Sequence, residues 1–191
     1  MKPRQRLPGR KTPRRQMVRD AEERTEVLLM QKEHVLVICT GNSARSQMAE
    51  GLFRAYGHGS VAVHSAGSEP ADSVNPHAIA AMAEIGIDIS HHRPKHLSQF
   101  LDQDIDWVIA VCSRAAAACP VFPAAPLTLH WFYDDPAAVT GTEEEQQDAF
   151  RRVRDDLAQR IRAWLATPSE RRRAESHDDS PSLHIGGIMR Q

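Results

Sequence analysis

No apolar run in this sequence approaches the roughly 18 residues that a membrane-crossing helix needs, although hydrophobic residues make up 41% of the chain. The opening residues also lack the apolar segment of a secretory signal. A soluble protein of the reducing cytoplasm, with no membrane among its partners, is therefore expected. Cysteine is scarce, with three in 191 residues. In a reducing compartment so few cysteines do not make a static disulfide framework, and they point instead to thiol chemistry. Net charge is nearly absent at −1, but its distribution is lopsided, because Met1 to Arg19 carries eight Lys or Arg and no acid. That arm has no serine and no apolar face, and Pro3, Pro8 and Pro13 break any helical period. A disordered, solvated arm over residues 1–32 is the first reading. Binding to a polyanion such as nucleic acid, and a targeting segment or mis-set start, are the alternatives. Residues 167–191 are polar and expected to form a disordered tail.

Between these ends, residues 33–166 alternate short apolar runs with amphipathic stretches, the pattern of strands joined through crossover helices. "HVLVI" predicts a buried strand ending at Cys39, and a helix is expected from Ser46 to Tyr56. "VAVHSAG" predicts a second strand. In "NPHAIAAMAEIG", Asn75 can cap a helix, Pro76 suits its first turn and Gly86 can close it. "DWVIAV" leads into Cys112, "LTLHW" precedes "DDPA", and a final helix carries Phe150, Val153, Leu157, Ile161 and Trp164 at helical spacing. No internal repeat is present. The expected fold is α/β: a single domain whose central four-stranded parallel sheet is flanked by helices. Such sheets bind ligands beyond the carboxyl ends of their strands, where Cys39, Cys112 and Asp135 all fall.

Five small residues, Thr40, Gly41, Asn42, Ser43 and Ala44, separate Cys39 from Arg45. Successive amides of such a loop can turn inward around one centre and make an anion nest. The helix beginning at Ser46 adds partial positive charge, and the Arg45 fork can hold two oxygens of a tetrahedral oxyanion. The same field is expected to lower the Cys39 pKa and favour the nucleophilic thiolate. Ser46 can hydrogen-bond that sulfur, and Asn42 suits an unusual backbone conformation. The competing reading makes Cys39 a small buried hydrophobe at a strand end.

"VICTGNSARSQMAEG", "HSAG", "VNPHAIAAMAEIGIDIS", "VCSRAAAACPVFP" and "HWFYDDPA" occur in that order. Together they resemble the thioredoxin-coupled arsenate reductases, which share a fold with low-molecular-weight protein tyrosine phosphatases. The resemblance runs from about Val35 to Leu165 and implies a relay. Cys39 attacks arsenate while Arg45 and the loop amides hold its oxygens. Cys112 then attacks Cys39 and arsenite leaves, and Cys119 attacks Cys112 to leave a disulfide for thioredoxin, the external reductant; no bound cofactor is implied. Seven residues of continuous helix would hold Cys112 and Cys119 about 10 Å apart, beyond the roughly 7 Å limit for a disulfide. Their bonding therefore requires that segment to unwind, which Pro120 favours. Two core cysteines in a short helix are the alternative, and three cysteines without a well-placed fourth ligand match zinc poorly.

Asp135, held before Pro136, is placed to give a proton to a departing oxygen, as general acid; Asp134 and Asp135 as simple turn residues is the alternative. Some relatives hold potassium behind the loop. Asn42, Glu50 and Ser65 match three of its contributors, but the fourth, an aspartate, aligns near Lys95, so no metal is expected. His91 and His92 are expected at the surface or a helix end. Arsenate reduction leads, with a monomer as the expected state. Phosphomonoester hydrolysis and a non-enzymatic arsenite- or redox-sensing thiol module are the competing functions. Against the phosphatase stand Ala137 and Ala138, where such enzymes place aromatic residues.

Overall fold

The computed structural model of the chain describes residues 32–114 and 127–176. The basic arm and the segment 115–126, with Cys119, lie outside the described residues. Four strands, β1 (Glu33–Cys39), β2 (Val61–Gly67), β3 (Trp107–Ala110) and β4 (Leu127–His130), form one sheet in the order β2-β1-β3-β4, and every pairing is parallel. Val35 to Ile38 of β1 are fully buried, as expected of an apolar run covered on both faces. On the edge, β4 alternates half-buried Leu127 and Leu129 with exposed Thr128 and His130.

Helix α1 (Arg45–Gly57) returns from β1 to β2, and α2 (Pro76–Ala83) follows β2. Asn75 caps α2 through its side chain, and Gly86 leaves the following turn at φ +75°. Helix α3 (Glu143–Ala166) starts in a capping box between Thr142 and Glu145 and packs on α1. Phe150, Leu157, Ile161 and Trp164 form its buried stripe. The core closes around aromatic rings: Phe53 meets Trp164 edge-on at 5.4 Å, and Trp164 meets Trp107 edge-on at 5.6 Å. No described helix is long and apolar enough to cross a membrane.

The single domain with a four-stranded parallel sheet is the architecture that the strand pattern predicted. One difference concerns the tail, because Ser169–Ser176 forms a further helix, α4. Its residues are too polar to signal a core, yet they find partners at the start of the sheet. The Arg172 guanidinium lies 3.7 Å from the Trp164 ring centroid and pairs with Glu33, while Arg173 reaches Asp106 at 3.0 Å. Cation–π contact and ion pairing thus order a segment that composition alone reads as solvated.

Candidate active site

The turn after β1 is tied down by its carbonyls. The Thr40, Gly41 and Ser43 carbonyls accept hydrogen bonds from the amides of Glu69, Ala71 and Asn75 at 3.0, 2.8 and 2.8 Å. The Asn42 carbonyl accepts from Gln47 Nε2 at 2.9 Å. Because a trans peptide points its N–H opposite its C=O, carbonyls held outward turn the following amides toward the loop centre. The Asn42 amide accordingly donates to Cys39 Sγ at 3.1 Å. Asn42 itself has φ +44°, a left-handed conformation that asparagine tolerates. Gly67 opposite must be glycine, since a Cβ there would lie 2.4 Å from the Thr40 carbonyl oxygen.

Helix α1 begins at Arg45 with no side-chain cap on Ala44 and no acid in its first turn. Its first amides and its dipole therefore face the loop, where the Ser46 amide meets the Cys39 sulfur. Arg45 is nearly buried; its Nη1 donates to the Tyr133 carbonyl at 2.9 Å, and its Nη2 pairs with Asp135 Oδ2 at 3.1 Å. Arg45 Nε is buried and has no hydrogen-bond partner among the described residues. A buried cationic donor left in this way at the mouth of an amide nest marks where an anion belongs.

Cys39 is buried, and its sulfur lies 2.8 Å from Ser46 Oγ. The thiol was expected to be depressed in pKa, and here the structure corrects the sequence reading. Burial pushes it above the ordinary value of 9.0, outweighing the downward pull of Ser46, the Asn42 amide and Arg45. Cys112 is also buried, with Thr40 Oγ1 3.5 Å from its sulfur. Cys39 is a free thiol. Both border one open cavity of about 1020 Å³, with Asp135, Tyr133 and the exposed Phe132 on its wall. Asp135 caps the short turn Pro136–Ala138, accepting from the Ala137 amide at 3.2 Å. Cys39, Arg45, Cys112 and Asp135 thus meet in one place, with Thr40, Gly41, Asn42, Ser43, Ala44 and Ser46 forming the loop.

Behind the loop, Glu50 is buried and holds three partners. Arg54 Nη2 lies 2.5 Å from Oε1, Lys95 Nζ lies 3.3 Å from Oε2, and Ser65 Oγ donates to Oε2 at 2.5 Å. Two side-chain cations already face this carboxylate, so these residues do not fit a monovalent metal ion. His92 departs from expectation, being buried rather than superficial, with its ring bonded to Gln47 and Arg54. Gln47, Gly67 and Tyr133 were not singled out from sequence as site residues. Only the position of Gln47, two residues after Arg45 and on the inward face of α1, offered a signal.

A cysteine at a parallel strand end, inside an amide loop closed by an arginine and backed by a helix start, is an arrangement suited to a nucleophile acting on a tetrahedral oxyanion. The chain belongs to the low molecular weight phosphotyrosine protein phosphatase family, whose model matches residues 34–174. Among curated relatives, an arsenate reductase of Halalkalibacterium halodurans is 46% identical over 138 residues, covering 72% of this chain and 99% of that protein. One from Bacillus subtilis is 43% identical over 142 residues, with 72% and 99% covered. A solved arsenate reductase in its phosphate-binding state superimposes with a TM-score of 0.61 at 34% identity, covering 70% of this chain and 97% of the other. The resemblance read from the separated motifs is borne out.

Proposed function

We propose that this protein reduces arsenate to arsenite through Cys39, Cys112 and Cys119, and that thioredoxin regenerates it. The carrying observation is the second thiol at the anion site: Cys112 borders the same cavity as Cys39 and lies against Thr40 of the loop. A phosphomonoesterase needs only the first. The arsenate reductases among its relatives support the same substrate.

In this reading arsenate enters the nest and takes the Arg45 donors, Nε included, displacing Asp135 from Nη2. Cys39 Sγ bonds to arsenic, one As–O bond breaks, and the oxygen leaves as water with a proton from Asp135. The Cys39 thiol proton restores that carboxyl. Cys112 then attacks Cys39 Sγ: an S–S bond forms, the S–As bond breaks, and its electron pair stays on arsenic, which leaves as arsenite. Cys119 displaces Cys39 from Cys112, and the dithiol of thioredoxin supplies the two electrons that reopen the Cys112–Cys119 disulfide.

Reduced protein with arsenate, thioredoxin, thioredoxin reductase and NADPH tests this reading. Arsenate-dependent NADPH oxidation and a Cys112–Cys119 bond mapped by mass spectrometry are expected. Absence of turnover alongside vigorous hydrolysis of p-nitrophenyl phosphate would place the chain with the phosphatases, because loop and Asp135 equally support a cysteinyl-phosphate. Turnover without that disulfide would remove the relay.

A further inference from the structure

Each hydrogen bond around the loop has a direction that its neighbours dictate, and the direction can be followed from a surface arginine to the nucleophile. Arg54 has only donors. Its Nη1 lies 3.3 Å from His92 Nε2, so that nitrogen accepts and the ring proton sits on Nδ1. His92 Nδ1 lies 3.0 Å from Gln47 Oε1, which therefore accepts and leaves Gln47 Nε2 to donate. It does so to the Asn42 carbonyl at 2.9 Å and to Asn42 Oδ1 at 3.1 Å. The Lys95 backbone amide, also a pure donor, reaches the same Oδ1 at 2.7 Å and fixes the Asn42 amide from a second side. Asn42 Nδ2 must then donate, at 2.9 Å to Ser46 Oγ. Because that oxygen accepts from Asn42, its own proton is left for Cys39 Sγ at 2.8 Å.

We infer that Gln47 and His92 are positioning residues for Cys39: by fixing which way Asn42 and Ser46 donate, they hold the Ser46 hydroxyl as a donor to the sulfur and stabilise its thiolate. The inference rests on Cys39 being the nucleophile and not on what it attacks. A hydroxyl left to rotate would serve the sulfur equally as acceptor, which favours the protonated thiol.

The chain also makes the site sensitive to acid. A second ring proton on His92 would set an N–H against the Arg54 N–H and break the order at its source. Arg54, Lys95 and His91 face the ring with positive charge and Glu50 with negative charge, and burial, ahead of these charges, holds the His92 pKa below its ordinary 6.5. The ordered state therefore holds at neutral pH and is lost only on acidification beyond the ordinary histidine range.

The rate of Cys39 alkylation by iodoacetamide against pH, read on the Cys39 peptide by mass spectrometry, tests the inference without any arsenate. His92→Gln can donate to Gln47 and accept from Arg54 without titrating, whereas His92→Leu can do neither and Gln47→Glu has no amide to give. His92→Leu and Gln47→Glu are expected to slow alkylation about fivefold at neutral pH, the worth of one hydrogen bond near 1 kcal/mol. His92→Gln keeps the neutral rate. Across the His92 titration, which lies on the acid side of 6.5, the wild-type rate should fall by more than tenfold per pH unit, and His92→Gln should return it to tenfold. Coincident profiles for all four proteins would overturn the inference, as would a fall in His92→Gln equal to that in His92→Leu. Should His92→Leu not fold, the steepness of the wild-type profile against His92→Gln decides alone. Failure of arsenate turnover would count against the proposed reaction and leave this measurement standing.

Discussion

Arg45 reaches the Tyr133 carbonyl through Nη1 and Asp135 through Nη2 and leaves Nε for an anion, so each part of its fork has its own task. A lysine has the charge but neither the planar geometry nor the second nitrogen. Arg45→Lys should therefore lower kcat/KM for arsenate by about a hundredfold, the order expected when a preorganised oxyanion donor is removed, and steady-state NADPH oxidation measures it. Arg45→Ala separates catalysis from sensing, because thiol-dependent arsenite binding that survives while turnover vanishes is the expected pair of results for an enzyme. That Cys39 and Arg45 would meet at one loop was legible in "CTGNSAR" because their placement depends on neighbours in sequence. The ionisation of Cys39 was not: motif spacing shows the charges that favour a thiolate but not the burial that opposes them.

Strand β2 and the segment after it act on the loop from outside. Gly67 stands so close to the Thr40 carbonyl that Gly67→Ala must push the loop or the strand apart. Loss of turnover with a fold still intact by circular dichroism is the expected outcome, and a fully active Gly67→Ala would contradict this account of the loop. Between helices, Arg154 of α3 donates to the Ala81 carbonyl at 2.7 Å and to Glu84 at 2.9 Å, tying down the end of α2, which has no basic residue in its last turn. Arg154→Met should cost about 1–2 kcal/mol in urea unfolding through the stranded carbonyl and lost bonds. The bonds to Arg151 and Arg154 hold the Glu84 carboxyl below its ordinary 4.5. A lowered folded-state value means stabilisation above the unfolded value that is lost as pH falls. Stability should thus decline below about pH 4.5, less steeply in Glu84→Gln. The elements themselves were readable because apolar period and caps are local signals. Gly67, Tyr133 and the buried His92 act through partners 27 to 88 residues away, from Gly67 against Thr40 to Tyr133 on Arg45, and no local pattern announces such contacts.

In the whole molecule, chemistry lies at the carboxyl ends of the strands, while α4 fastens the opposite end. Glu33 begins β1 and receives Ser169, Arg172, Arg173 and the Trp107 indole. Arg172→Ala should lower Tm by several degrees, an effect of roughly 1–3 kcal/mol for a charge-assisted bond, with kcat for arsenate retained because the site is remote. Parallel loss of kcat would show that the two ends are coupled. The outward carbonyl ties of the loop carry one more consequence, for engineering. Thr40, Gly41 and Ser43 lean on Glu69, Ala71 and Asn75, so the anion-binding turn is not a portable cassette. Transplanted into another parallel sheet with its cysteine and arginine alone, it would collapse, and a working graft must bring the glycine-ended neighbouring strand and the stretch through Asn75 as its mould.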